Sequence, residues 1–233
     1  MRHYRRTLSA ITGGKITLKV ILKKNQMDKP RDMEDKVRKI LKASEELFDH
    51  FGFSKSTSEE IAQKAGVSKR TLYKYFESKK KILEVFIIQK IEILRNELER
   101  ILAKHIIFPE KMRQITTQVA VTLSGMSAHF LQDLQTNVPD VWQKISDFRR
   151  EMVHIYFPML LDEGIKEGHF KSDINKGVAV LIMVNAMEII INPQITETLP
   201  PALLKDIPQK PEELFDKVIQ IIYEGIHESK SIY

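Results

Sequence analysis

The chain has 233 residues, 42% of them hydrophobic and 29% charged, with no cysteine and a formal net charge of +6. That composition suits a soluble globular protein with a sizeable core and argues against overall disorder. It excludes a disulfide framework and thiol chemistry, and no apolar run approaches the length of a membrane span. The charge is unevenly placed: residues 1–32 carry net +7, 33–80 net +3, 81–103 none and 104–233 net −4. A basic first third and a mildly acidic remainder fit a chain with one end on nucleic acid. No signal-peptide core follows Arg2, Arg5 and Arg6, so a cytoplasmic protein is expected.

Residues 1–32 contain Gly13, Gly14 and Pro30 and no sustained amphipathic period, so they read as a mobile basic extension. Strand-like alternation occurs only at Lys15–Leu22. Met27 precedes Asp28, Lys29 and Pro30, a plausible second start, so residues 1–26 are either a translated arm or lie upstream of the true beginning.

The remainder reads as helix. From Met33 to Phe51, the spacing of Val37, Ile40, Leu41, Leu47, Phe48 and Phe51 defines one apolar face, with Asp32 as N-cap and Gly52 as stop. Thr57 and Glu60 form a capping box for a short helix over Ser58–Ala65, ended by Gly66. Ser68 caps a second short helix that runs to about Phe76, anchored by Leu72 and Phe76. Two short helices around a glycine turn, with a third behind them, form a helix-turn-helix. Ser78 caps a long helix from Lys79 to about Lys104, with Ile82, Val85, Phe86, Ile93 and Leu94 inward; at about 1.5 Å per residue it spans about 39 Å. Further helical patterns cover Lys111–Thr136, Asp140–Glu167, Ile174–Ile191 and Glu212–Ser229. Pro158 should kink or split the second of these. The fold class expected is all-α: a DNA-binding domain over 33–80 and a helical effector-binding and dimerisation domain over 81–233.

The informative string is Thr57–Lys81. The second helix of such a motif enters the major groove with its N-terminal residues at base edges. Here its outer face presents Lys69, Arg70, Tyr73 and Lys74, cations and a hydroxyl suited to phosphate anchoring and base reading. Lys79 and Lys80 add positive charge at the start of the long helix. Singly, each is an ordinary solvated side chain. Together with the caps, the glycine turn and the Leu/Phe anchors, they point to DNA.

This string resembles the DNA-binding signature of the TetR family, through Ile61-Ala62, Ala65-Gly66-Val67-Ser68, Thr71-Leu72-Tyr73, Tyr75-Phe76 and Ser78-Lys79. The resemblance covers residues 33–104 and is architectural beyond them. It implies an all-helical homodimer that binds a palindromic double-stranded operator as a repressor and leaves it when a small apolar or amphipathic effector enters the C-terminal domain. Carried over by position, Ser58, Ser68, Lys69, Arg70, Thr71, Tyr73, Lys74, Tyr75 and Lys79 would meet DNA. Arg70 departs from the pattern, since that position is often small; it reads a guanine bidentately or reaches a phosphate.

The seven histidines are dispersed, without ligand spacing, so no metal site is expected. No nucleophile elbow, phosphate loop or dinucleotide fingerprint is present, which argues against an enzyme and against a bound cofactor. Met126, Phe130, Trp142, Met152, Tyr156 and Met183 are candidates to line the effector pocket, against the plainer reading of ordinary core. Two breadths of apolar face, Ile174–Ile191 and Glu212–Ser229, are the expected dimer helices. An architectural DNA binder without an effector is the rival reading.

Overall fold

A computed structural model describes residues 30–123, 126–191, 199–208, 213–214, 217 and 220–221. The basic extension before Pro30, including the strand-like Lys15–Leu22, and most of the helix expected over Glu212–Ser229 lie outside the described residues. Those described are helical, without strand.

Helix α1 runs Pro30–Phe51, beginning three residues before the expected start. Proline suits a first helical position, because its missing N–H would have no intrahelical partner there. Asp32 is therefore a first-turn acid and not the cap, and it pairs with Lys36 at 2.8 Å. Gly52, with φ +81°, ends α1, its N–H donating to Phe48 O at 2.9 Å. Helix α2, Ser58–Lys64, has the expected capping box: Glu60 N–H donates to Thr57 Oγ1 at 3.2 Å, and Thr57 N–H to Glu60 Oε2 at 2.8 Å. Gly66, with φ +67°, makes the turn into α3, Lys69–Tyr75. Ser68 Oγ accepts from Thr71 N–H at 3.0 Å, and Ser78 Oγ from Lys81 N–H at 3.1 Å to start α4, Lys79–Leu102.

The pattern expected as one helix over Lys111–Thr136 is two, α5 over Phe108–Leu123 and α6 over Ala128–Asn137. Ser127 caps α6, its Oγ accepting from Phe130 N–H at 3.3 Å. The Asp140–Glu167 pattern is also divided. Helix α7, Pro139–Glu151, passes through a π turn, Met152–Tyr156, into α8, Phe157–Lys166. Phe157 N–H donates to Met152 O, five residues back. That wider turn puts Pro158 at the start of the next α segment, where a missing N–H costs no hydrogen bond. Helix α9 covers Lys176–Ile191 and a short α10 covers Pro201–Leu204.

Two hydrophobic cores result. The first joins α1, α2, α3 and the start of α4 (Ile82 to Ile87) to Met126, Phe130, Leu131, Leu134, Val138 and Val141 from the α6–α7 region. The second holds Leu94, Leu98 and Ile101 from later in α4 with Phe108, Met112, Met152, Ile155, Tyr156 and Leu160. Helix α4 belongs to both, and Ile91 packs against each. Ile93, expected to face inward, is 49% exposed. Along α4 the change of core comes between Ile87 and Leu94.

Candidate nucleic-acid interface

Helix α3 is held from below. Leu72, Tyr75 and Phe76 are buried against α1, α2 and α4, a stripe at offsets of three and four that orients the whole helix. Its opposite face is open: Ser68, Lys69, Arg70, Tyr73 and Lys74 are exposed and Thr71 is half-buried. Ser68 Oγ and Thr71 Oγ1 lie 2.8 Å apart, so the hydroxyls at the helix start already bond to one another.

The cations on this face differ in availability. Lys69 Nζ donates to Glu59 of α2 and lies 6.0 Å from the Tyr73 ring centroid. The hydrogen bond to Glu59 raises the Lys69 pKa, and that from Lys69 lowers the Glu59 carboxyl below its usual range. Lys74 Nζ lies 5.7 Å from the Tyr75 ring centroid. Arg70 has no hydrogen-bond or ion-pair partner among the described residues. It is the guanidinium most ready to meet an incoming group.

Three of the nine positions carried over for DNA contact sit differently from an outward face. Ser58 and Tyr75 are each only 7% exposed, so both side chains pack inward. Lys79 is half-buried and donates to Phe53 O at 2.7 Å and Ser56 O at 2.6 Å, with its Nζ 4.1 Å from the Phe53 ring centroid. Burial lowers its pKa, against the pull of Asp133 and Glu60. Its ammonium closes the loop between α1 and α2 instead of facing outward. Lys80, also expected to face phosphate, pairs with Asp140 at 2.7 Å.

The loop before α2 is anchored by residues that the sequence did not single out. Ser54 N–H donates to Asp133 Oδ2 at 2.7 Å and Ser54 Oγ to Asp133 Oδ1, while Asn137 donates to Oδ1 at 2.7 Å. Burial alone would raise the Asp133 carboxyl, but these hydrogen bonds outweigh it and hold the pKa low. Ser127 N–H donates to Asp49 Oδ1 at 2.6 Å, and Ser127 Oγ to Asp49 O at 2.8 Å. A Cβ on Gly52 would stand 2.7 Å from Asp133 Oδ2, so only glycine lets α1 end this close to α6. Helix α6 thus grips the base of the helix-turn-helix at two points.

The six pocket candidates divide between the cores. Met126, Phe130 and Trp142 belong to the first, where Phe130 stacks on Phe48 with ring centroids 6.1 Å apart. Met152, Tyr156 and Met183 gather in the second, beside Leu94 and Leu98. Arg95 of α4 crosses to α7 there, donating from Nε to Glu151 Oε1 at 2.9 Å and from Nη2 to Oε2 at 2.8 Å.

Comparison with known proteins fits this arrangement. Residues 40–85 match the model described as bacterial regulatory proteins, tetR family. Over 195 residues the chain is 24% identical to the fatty acid metabolism regulator protein of Bacillus subtilis (strain 168), covering 82% of this chain and 96% of that one. The fold is similar to that of the fatty acid degradation regulator FadR from Bacillus halodurans, with TM-score 0.59 and 18% identity over 83% of this chain and 97% of that one. It is similar also to FadR from Bacillus subtilis in complex with stearoyl-CoA, with TM-score 0.59 and 21% identity over 82% and 99%. The TetR family regulator PfmR from Thermus thermophilus gives TM-score 0.58 and 22% identity over 81% and 99%.

Proposed function

We propose that the chain, whose residues 40–85 match the model of the TetR family of bacterial regulatory proteins, is a TetR-type transcriptional repressor released from its operator by a long-chain acyl ligand. The observation that carries the DNA-binding part is the open face of α3, with Ser68, Lys69, Arg70, Thr71, Tyr73 and Lys74 above a buried Leu72–Tyr75–Phe76 stripe. Arg70 and Tyr73 read base edges in this proposal, and Lys69 and Lys74 hold phosphates. Lys79 acts at one remove, by fixing the loop that leads into α2. The proposed action is binding and release, with no chemical step.

One such helix reads only a few base pairs, so the operator is proposed to be a two-fold repeat met by a homodimer. Support comes from α9, where Val178, Leu181 and Ile182 are exposed on one helix that is apolar nearly all round. An exposed apolar face of that kind marks an interaction surface. The acyl ligand is proposed from the names of the relatives, one a fatty acid metabolism regulator and one bound to stearoyl-CoA, together with the apolar second core. No described helix is long and apolar enough to cross a membrane, and work on chromosomal DNA puts the protein in the cytoplasm.

Selection from a random duplex pool tests the proposal. It should enrich an inverted repeat, and stearoyl-CoA added to that complex should release the DNA. A pool with no enriched sequence would instead favour a non-specific architectural role.

A further inference from the structure

Helix α9 has two opposite faces. At about 100° per residue, Val180, Met183 and Val184 fall together, and they pack against the second core. Val178, Leu181, Ile182 and Asn185 fall on the other side, at offsets of three, four and seven, and all four are exposed. Asn185 lies near the middle of that stripe and is the one polar side chain of residues 177–187, which carry no charge. An amide suits neither plain role for this position. A solvated helical site favours Lys, Glu or Gln, and a purely apolar contact favours Leu or Ile. Asn185 Nδ2 donates to Leu181 O at 2.8 Å, which leaves Oδ1 and the second N–H without a protein partner among the described residues. One free acceptor and one free donor make the amide complementary to itself. A contact about a two-fold axis sets one patch against its own copy, so a group near the axis meets its twin. Two carboxylates or two ammoniums would repel there; two amides bond.

We infer that α9 crosses its counterpart in a second copy of the chain at Asn185, where the two amides exchange hydrogen bonds within an apolar surround of Val178, Leu181 and Ile182. The inference rests on the homodimer reading above and adds its register. A slip along α9 would set each amide against an apolar side chain, unpaired, and that penalty selects one alignment.

The chain has no cysteine, so single cysteines report the crossing point. Under mild oxidation Asn185→Cys should link into a covalent dimer, since a disulfide needs Cα atoms within about 7 Å. Val178→Cys, about 10.5 Å away along the helix, should stay unlinked. Sedimentation of Asn185→Asp and Asn185→Lys supplies the second reading. Like charges meet in each variant, so the dimer dissociation constant should rise at least about tenfold. Mixing the two variants should restore a dimer made of one copy of each. Asn185 is exposed on the single chain, so none of these changes enters a protomer's core. Should a charged variant unfold, the two cysteine variants decide alone. A charged variant that dimerises like the parent chain, a mixture that stays dissociated, or linking at position 178 as fast as at 185 overturns the register and leaves the homodimer. A monomeric parent chain overturns both together.

Discussion

Among single residues, Arg70 and Lys69 carry the same sign of charge into different situations. Arg70 is exposed without a partner among the described residues, whereas Lys69 is tied to Glu59. Replacing Arg70 with Ala should relax preference at one operator position by about 1–3 kcal/mol, the worth of one bidentate base contact. Binding measured across a set of single-base operator variants checks it; an unchanged preference profile would remove the base-reading role. Glu59→Gln has the opposite sense. It releases Lys69 and removes a negative charge from the DNA face, so affinity should rise and log K against log salt should steepen by about one unit. Titrations at several salt concentrations read that slope. The Leu72 and Phe76 anchors were legible in the sequence, because burial at offsets of three and four is a local pattern. Tyr75 obeys the same spacing, three residues after Leu72, and the sequence held that signal. The partner of Lys79 was not legible, since Phe53 and Ser56 reach it only through the tertiary path of the loop.

At the scale of elements, the joint between α1 and α6 sets the posture of the DNA-binding helices. Gly52→Ala forces a side chain into positive φ and against Asp133, and should destabilise the fold by at least about 1–2 kcal/mol. Chemical denaturation would measure the loss. Asp133 adds a pH dependence whose sign follows from its lowered pKa. The unfolded chain binds the proton more readily, so the carboxylate contributes stability above the unfolded value of about 3.9. That contribution is lost as pH falls through the lower native value. Asp133→Asn should flatten the acid limb of a stability-against-pH curve, whereas an unaltered limb would show that other carboxylates govern it. Capped starts were readable: Thr57, Ser68 and Ser78 each announce a helix within four residues. The break between α5 and α6 had a similar signal in Ser127, masked by apolar periodicity running through it. The π turn had none beyond Pro158, because a one-residue widening of a helical turn leaves no pattern of its own.

For the whole molecule, the open face of α9 is the feature to test. Leu181 is 60% exposed, and a lysine there should leave the monomer fold intact while charging the proposed interface. Sedimentation at micromolar concentration should show a dimer for the parent chain and a shift toward monomer for Leu181→Lys. A monomeric parent chain would defeat the homodimer outright. Operator affinity should fall with the dimer, since two half-sites would no longer be read together.

Helix α4 carries one more consequence. Its first turns are walled into one core and its later turns into the other, with no loop between them at which the chain could come apart. Melting either half would strip the apolar neighbours from a rod that the other half still needs. Heating should accordingly give a single calorimetric transition, with van't Hoff and calorimetric enthalpies equal. Anything bound beside Leu94 and Leu98 should then slow amide exchange as far away as α1, in helices it never touches.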